Sequence, residues 1–156
     1  MDLDRFLETP LADKGGLYLV GNPDSRTATH WAKVGKATSF QHRLSTLLVG
    51  APRGLLVHGL LTVPRKVSHL SGELISLIAK REKEAHANLE TVPGVVRHQR
   101  HTGRHGRAHK TEWFRPLDSG RGDEAFQKLV MNRSLGALAG RYGDSRLYRC
   151  TRWGCR

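Results

Sequence analysis

The chain has 156 residues, 38% of them hydrophobic, which suits one domain with an aliphatic core. Lys and Arg number 26 against 14 Asp and Glu, so the net charge is +12. No apolar run reaches the length of a membrane span, the acidic N-terminus lacks the apolar stretch of a secretory signal, and two Cys cannot form a disulfide framework. We therefore expect an intracellular protein of the cytoplasm or nucleus that is neither secreted nor embedded in a membrane.

The positive charge is concentrated in the second part of the chain. Residues 97–156 carry 14 basic and 5 acidic side chains, whereas residues 1–96 carry 12 and 9. Arg supplies 18 of the 26 cations, and its planar guanidinium binds phosphate through a bidentate fork. This charge favours nucleic acid as the partner. A ribosome-like structural protein, or a protein that binds anionic surfaces without specificity, would be equally basic.

Short apolar runs and helical periodicity predict alternating strands and helices in the first part of the chain. A leading segment at 1–14, with one helical turn, precedes a strand at 16–20, where the run LYLV is rich in strand formers. We then expect, in chain order, a strand at 30–35, a helix that begins after Ser39 and ends before Gly50, and a buried strand at 55–63.

The clearest element is a long amphipathic helix from about residue 68 to residue 90. Its apolar residues recur at spacings of three and four, or their sums, and share one face: Leu70, Leu74, Leu77, Ile78, Ala85 and Leu89. Beyond this helix we predict, in order, an exposed loop at 97–110, a short strand at 111–115, helical stretches at 123–133 and then to about 142, and a basic tail at 143–156.

This order of elements predicts the fold class α/β (α+β), with a small central antiparallel sheet flanked by helices. We expect a leader segment at 1–14, a domain at 15–116, and a C-terminal helical and basic extension at 117–156.

Several short motifs occur in the order that one nuclease family has them. The run GLYLV contains Tyr18, and Arg43 follows the second motif by eight residues. The remaining motifs are Lys33-Val34-Gly35, Glu82 and His86 in REKEAH, Glu112-Trp113-Phe114, and Asn22-Pro23 after the first strand. In these motifs the chain resembles the GIY-YIG nuclease superfamily, in particular the branch of phages and large DNA viruses that has Lys in the second motif. It departs from the wider family in a longer loop between the first two motifs and in Lys33, which replaces a Tyr.

The resemblance implies a GIY-YIG-like fold and an endonuclease that hydrolyses phosphodiester bonds in DNA with one Mg²⁺ or Mn²⁺ ion. Glu82 would bind the metal, and Tyr18 and Lys33 would position or activate the attacking water. Arg43 would stabilise the charge of the transition state. His86, one turn after Glu82 on the same helix face, would orient the carboxylate or contact a phosphate. RNA is left open as a substrate.

Each of these residues also has a structural interpretation. Glu82 would pair with a nearby cation on a solvated face, Tyr18 would be a half-buried strand residue, and Arg43 and His86 would be ordinary surface or packing residues. Lys33 relays a proton only where burial or neighbouring cations lower its pKa, so we favour a fixed positive charge on the phosphate.

The final motif leaves the role of Glu112 open. It is either a second acidic group of the site or an acceptor that ties the strand to an Arg. Its neighbours Trp113 and Phe114 are expected in the core.

The His-rich basic segment after the long helix favours contacts to the phosphate backbone. Together with one cation of the second motif, the expected nucleic-acid contacts are Lys36, Arg97, Arg100, Arg104, Arg107 and Lys110. Four His also fall at spacings of three and four, which would suit zinc, although no regular structure is expected to fix them: His98, His101, His105 and His109.

Two Cys lie near the C-terminus. Cys150 and Cys155 would form a small disulfide loop, half of a zinc site, or free thiols. An intracellular location favours free thiols or metal over the disulfide.

Two further function classes remain besides the nuclease. One is a non-catalytic nucleic-acid-binding or structural module that keeps the fold. The other is a basic subunit of a larger assembly, in which the tail at 143–156 would order only on binding.

Overall fold

The computed structural model describes residues 1–21, 31–49, 54–66, 70–102, 107–117 and 123–156. The predicted turn at Asn22-Pro23, and also Arg104 and His105, lie outside the described residues. The helices are α1 (Leu3–Leu7), α2 (Phe40–Val49), α3 (Gly72–Glu90), α4 (Asp123–Met131), a π-helical turn (Asn132–Gly136) and α5 (Ala137–Arg141). The strands are β1 (Lys14–Gly21), β2 (Ala32–Ala37), β3 (Leu56–Lys66), β4 (Val95–Thr102), β5 (Arg107–Pro116), β6 (Arg146–Thr151) and β7 (Gly154–Cys155).

The described strands form one seven-stranded sheet in the order β4-β5-β2-β1-β3-β6-β7. Every neighbouring pair is antiparallel, and β1 lies near the centre. The protein is therefore a mixed α+β fold with an antiparallel sheet, as the sequence predicts. The sheet is larger than the small one expected, because three of its strands come from segments without a clear strand pattern.

Helices cover both faces of the sheet, and β1 is buried on both. Successive side chains of a strand point to opposite faces. Leu17 and Leu19 accordingly pack in one apolar cluster with residues of α3, α4 and the π-helical turn, whereas Tyr18 and Val20 pack in a second cluster with α1 and α2. This double burial explains the uninterrupted apolar run LYLV.

The long helix α3 begins later than predicted and ends where expected. Ser71 caps it, since the serine side chain accepts a hydrogen bond from the backbone N–H of Leu74. The helix buries Ile78, Ala85 and Leu89 against the sheet. This packing fixes which face of α3 reaches the strands, and hence the direction of its polar side chains.

The exposed loop predicted at 97–110 is wrong. Residues on both sides of the gap at 103–106 belong to β4 and β5, which pair as an antiparallel hairpin. The segment has almost no apolar alternation because the outer part of the hairpin has no core beneath it. Its strands are held by backbone hydrogen bonds to each other.

The basic tail predicted at 143–156 is also wrong in its structure. β6 adds to the sheet beside β3, with Leu60 opposite Tyr148, and β7 folds back on β6. Cys150 and Cys155 face each other across this turn and form a disulfide, so the preference for free thiols or a metal site is corrected. The helical stretches predicted between 123 and 142 are confirmed, with a π-helical turn between them.

Among the helices of the described residues, none is both long and apolar enough to cross a membrane.

Candidate active site

The two strands β2 and β5 pair over only two residues and then separate. Ala32 lies opposite Phe114 and Lys33 opposite Trp113, and no further pair joins these strands in the described residues. Beyond Lys33, β5 pairs with β4 alone. The edge of β2 is therefore open at residues 34–37, and polar side chains of α3 and β5 fill this opening.

His86 of α3 closes the opened edge of β2. Its Nε2 donates to the carbonyl of Val34 at 2.7 Å, where the ladder to β5 has ended, and Nδ1 accepts from Nη2 of Arg97 at 3.1 Å. Burial lowers the pKa of His86, and the Arg97 cation lowers it further. The imidazole is thus neutral at pH 7, and its two nitrogens join α3 to β2 and to β4.

Tyr18 lies fully buried on β1, directly opposite Gly35 of β2. The phenol ring covers Gly35 so closely that any side chain at this position would collide with the hydroxyl and the ring. Glycine in the second motif is therefore a steric requirement of the tyrosine in the first.

The ionisation of Tyr18 is set by burial and by Arg43 of α2. Burial raises the pKa of the phenol, the nearby guanidinium of Arg43 offsets part of this rise, and the resulting pKa is about 12. The same proximity is the main cause that raises the pKa of Arg43. The phenol is therefore protonated at neutral pH and acts through its hydroxyl, while Arg43 keeps its charge.

Glu112 of β5 joins Lys33 to Arg43. Its Oε2 lies 2.7 Å from Nζ of Lys33 and 3.9 Å from Nη2 of Arg43. Burial alone would raise the pKa of Glu112, but the hydrogen bond from Lys33 and the nearby cations lower it below the usual value. Nζ of Lys33 also lies 5.6 Å from the centre of the Trp113 ring. Of the two roles left open for Glu112, the structure supports the acceptor. Its closer partner is Lys33 rather than an Arg.

Glu82 is the second carboxylate of this region, and unlike Glu112 it is buried. It is 6% exposed, and its Oε2 lies 2.5 Å from Nζ of Lys36. Oε1 is buried and has no hydrogen-bond partner among the described residues. The pairing with Lys36 bears out part of the structural interpretation of Glu82, but the residue is buried rather than on a solvated face.

One free carboxylate oxygen suits a single hard cation such as Mg²⁺, which usually keeps several waters and substrate oxygens as ligands. In the described residues, no group of three or more His, Cys, Asp or Glu side chains is placed to hold a metal. The described residues therefore offer an ion one buried carboxylate oxygen, Oε1 of Glu82, and no closed protein cage.

The charges of Glu112 and, more weakly, of Glu82 influence the ionisation of Tyr18 and Arg43, so both carboxylates lie within electrostatic range of this pair, while the direct contact of Glu82 is Lys36. Five elements contribute to this group, which we name the charged cluster: Tyr18 of β1, Lys33 of β2, Arg43 of α2, Glu82 of α3 and Glu112 of β5. The four residues Tyr18, Lys33, Arg43 and Glu82 assigned from the motifs are thus brought together, and Glu112 joins them.

The residues expected to contact nucleic acid divide into two groups. Arg97 is only 18% exposed on its side chain and donates to the carbonyl of Thr111 at 2.5 Å and to Glu90 at 2.7 Å. It therefore braces α3 against the hairpin rather than pointing freely to solvent. Lys110 is 56% exposed while it pairs with the other oxygen of Glu90, and Arg100 is exposed. Only the backbone of Arg107 is described.

A separate pocket of about 530 Å³ lies between β3 and the segment that leads into β6. Lys14, Thr62 and Arg146 line it among others, and no residue of the charged cluster does. The chemistry-bearing groups are thus outside this pocket.

Comparison of the chain with protein-family models, with curated proteins and with solved structures found no match.

Proposed function

We propose that the protein is a metal-dependent endonuclease of the GIY-YIG type, which hydrolyses phosphodiester bonds in DNA. The observation that supports this most is the charged cluster, in which residues of five separate elements meet. Buried charges cost free energy, and groups of this kind concentrate at functional sites. The motif order and the net charge of +12 point to the same substrate.

The balance of charge suits a phosphate. Lys33, Lys36 and Arg43 bring three cations against the carboxylates Glu82 and Glu112. The transition state of phosphodiester hydrolysis is more negative than the substrate, so a fixed positive surplus stabilises it preferentially.

The metal would be held by Oε1 of Glu82, while Lys36 stays on Oε2. A bound Mg²⁺ or Mn²⁺ ion supplies Lewis-acid stabilisation of the phosphate and lowers the pKa of a ligated water. The role of Glu82 itself is to hold an ionised oxygen at a fixed position beside Lys36, at the open edge of β2.

The other residues act on the substrate directly or hold those that do. Arg43 donates to the phosphate oxygens as charge develops on them. The neutral phenol of Tyr18 orients the attacking water or a phosphate oxygen by hydrogen bonding. Lys33, held by Glu112 and Trp113, supplies a fixed positive charge. His86 is a positioning residue, because Val34 and Arg97 occupy both of its nitrogens.

The exposed cations of the β4–β5 hairpin would bind the DNA backbone without sequence preference, through Arg100 and Lys110. The intracellular location expected from the sequence stays a prediction. The disulfide of Cys150 and Cys155 bears on it, because disulfides persist mainly in oxidising compartments.

The proposal is tested by nicking of supercoiled plasmid with Mg²⁺ or Mn²⁺, with binding to the same plasmid measured in parallel. The wild type should produce nicked circles, and Glu82→Gln should produce none while it binds the plasmid as tightly. Glu84→Gln is the matched control, because Glu84 lies on the same helix and accepts from the hydroxyl of Tyr142 at 2.8 Å, outside the charged cluster. It should nick like the wild type.

A non-catalytic nucleic-acid-binding module is the second candidate, and the ion pair of Lys36 with Glu82 favours it, since this cation already neutralises the carboxylate. Binding without cleavage by the wild type in either metal, indifferent to Glu82→Gln, would establish this module and overturn the nuclease. Faster cleavage of RNA than of DNA would change the substrate but keep the site.

A further inference from the structure

A tryptophan lies exposed at the far end of the sheet. Trp153 is 72% exposed and occupies, with Arg152, the two-residue turn that joins β6 to β7. Neither residue belongs to the charged cluster or to the family motifs. A large aromatic ring held in solvent suggests a contact with a partner.

The turn that carries this ring is rigidly built. The disulfide of Cys150 and Cys155 joins the two strands, and the backbone of Arg149 exchanges hydrogen bonds with Arg156 at 2.7 and 3.0 Å. Gly154 has a φ of +153°, a backbone conformation that residues with a side chain rarely adopt. The ring of Trp153 is therefore presented by an ordered hairpin, which reduces the entropy lost on binding.

Further contacts tie the turn to the body of the protein. Nη1 of Arg5 in α1 donates to the carbonyl of Arg152 at 3.0 Å. The backbone N–H of Trp153 donates to Oγ1 of Thr151 at 3.2 Å. The hairpin is thus fixed relative to the sheet.

One cation lies against the ring of Trp153, and the segment around it is basic. Residues 146–156 contain four Arg and no acidic residue. The guanidinium of Arg152 lies 4.5 Å from the centre of the Trp153 ring, and that of Arg146 lies 5.1 Å from the ring of Tyr148. Aromatic rings among cations are the usual platform for single-stranded nucleic acid, because bases stack on the rings while the cations contact phosphates.

The strand that leads into the hairpin packs on the same face of the sheet as Tyr18 of the charged cluster. Tyr148 and Cys150 of β6 pack with the same apolar cluster as Tyr18. β6 is three strands from β2, which is roughly 14 Å across the sheet at the usual strand spacing, and Trp153 lies beyond the end of β6, so its own distance from the charged cluster is longer. A few nucleotides of extended single strand cover that distance.

We propose that the β6–β7 hairpin binds an unpaired nucleotide, with Trp153 stacked on its base and Arg152 beside its phosphate. The substrate class is then DNA with a single-stranded segment, such as a flap, a gap or a free end. This inference rests on the proposed function, since it names the form of the nucleic acid that the charged cluster cleaves.

The test measures binding of a fluorescent 20-nucleotide single-stranded DNA, and of its duplex, in EDTA so that no cleavage occurs. Trp153→Ala should weaken binding of the single strand about tenfold, the scale that base stacking supports. It should weaken binding of the blunt duplex less than twofold. Trp153→Phe should recover most of the affinity, and Leu117→Ala, another exposed apolar residue, should change nothing.

The salt dependence separates stacking from charge. Trp153→Ala should leave the slope of log affinity against log salt unchanged. Arg152→Ala should reduce the slope for the single strand by about 0.7, the value for one lost phosphate contact.

Equal affinity of Trp153→Ala and wild type for the single strand would overturn the inference, and so would an equal loss on single strand and duplex. Either result leaves the proposed function standing if the wild type still nicks plasmid and Glu82→Gln does not. Absence of any nucleic-acid binding by the wild type would instead overturn the proposed function, and the inference with it.

Discussion

Two neighbouring residues of α3 are both buried and charged, yet their surroundings differ. Arg81 is 3% exposed and Glu82 is 6% exposed. Nη2 of Arg81 donates to both oxygens of Asp144, at 2.9 and 3.2 Å, and its guanidinium lies 4.1 Å from the centre of the Tyr142 ring. Glu82 has one ion-pair partner on one oxygen, and its other oxygen has none among the described residues.

Arg81 joins parts of the fold, whereas the unpartnered oxygen of Glu82 is the one to which the proposed function assigns a metal ion. Arg81 connects α3 to the segment before β6 through both of its terminal nitrogens, while its Nε is buried without a partner among the described residues. Glu82 incurs the cost of burial without full compensation, which stability alone does not favour. The proposed function accounts for this cost by giving Glu82 a role in metal binding.

After the loss expected at Glu82 itself, the largest effect that we predict concerns Arg43, the cation beside Tyr18. We expect Arg43→Gln to lower the rate of DNA cleavage by about 10²- to 10³-fold, as for loss of one preorganised donor to developing charge. Affinity for DNA should change little, because many other cations contribute to it. Rates at saturating protein, with affinities measured separately, check this. A rate equal to that of the wild type would remove Arg43 from the chemistry.

The second prediction concerns stability. Arg81→Met should lower the free energy of unfolding by about 2 to 3 kcal/mol, since it leaves Asp144 unpaired, although that carboxylate is half exposed. Glu82→Gln should change the free energy of unfolding by less than about 1 kcal/mol, because removal of a buried charge offsets the lost ion pair with Lys36, a side chain that is half exposed and stays solvated. Urea unfolding of both variants measures this. A large loss for Glu82→Gln would show that Glu82 is structural in the way Arg81 is.

A third prediction tests the close approach between the ring of Tyr18 and the backbone of Gly35. Gly35→Ala should lower the free energy of unfolding by about 1 to 3 kcal/mol, because the new methyl group collides with the ring of Tyr18. Gly72→Ala is the control, since a Cβ there meets nothing within 4 Å and lies at the start of α3. It should be neutral or slightly stabilising. Thermal unfolding of the two variants compares them, and equal stabilities would contradict the contact.

The smallest effect is a pH dependence from His86. Its pKa is lowered in the folded protein, so the unfolded chain takes up a proton first as the pH falls below about 6.5. The stability that neutral His86 contributes is present above that pH and decreases below it, by at most about 1.4 kcal/mol per pH unit. His86→Gln keeps a donor for the carbonyl of Val34. Between pH 7.5 and 5.5, its free energy of unfolding should decrease less than that of the wild type. An identical pH dependence of the two proteins would show that His86 does not have a lowered pKa in the folded state.

Elements with an apolar pattern could be predicted from the sequence, and those without one could not. The run around Tyr18 and the periodicity of α3 follow from burial of their own side chains. The β4–β5 hairpin has few apolar residues, and its strands exist because each supplies hydrogen bonds to the other. In β6, Leu147, Tyr148 and Cys150 carried a weak strand signal that the four nearby Arg obscured.

For the charged cluster, residue types could be predicted but contacts could not. The motifs that resemble the nuclease family single out Tyr18, Lys33, Arg43 and Glu82. The ion pair of Lys36 with Glu82 joins residues 46 positions apart, so only the packing of α3 on β2 determines it. The position of Glu112 likewise depends on the separation of β5 from β2.

The most direct test compares the two neighbours of α3 in one assay, the single-turnover rate of DNA cleavage at saturating protein with Mg²⁺. Both variants are measured well below their unfolding temperatures, with the folded fraction determined in each sample. Our account predicts that Glu82→Gln loses at least about a thousandfold in rate, whereas Arg81→Met, per folded molecule, cleaves like the wild type. Equal rates for Glu82→Gln and the wild type would contradict the account, because the free carboxylate oxygen would then have no part in the reaction.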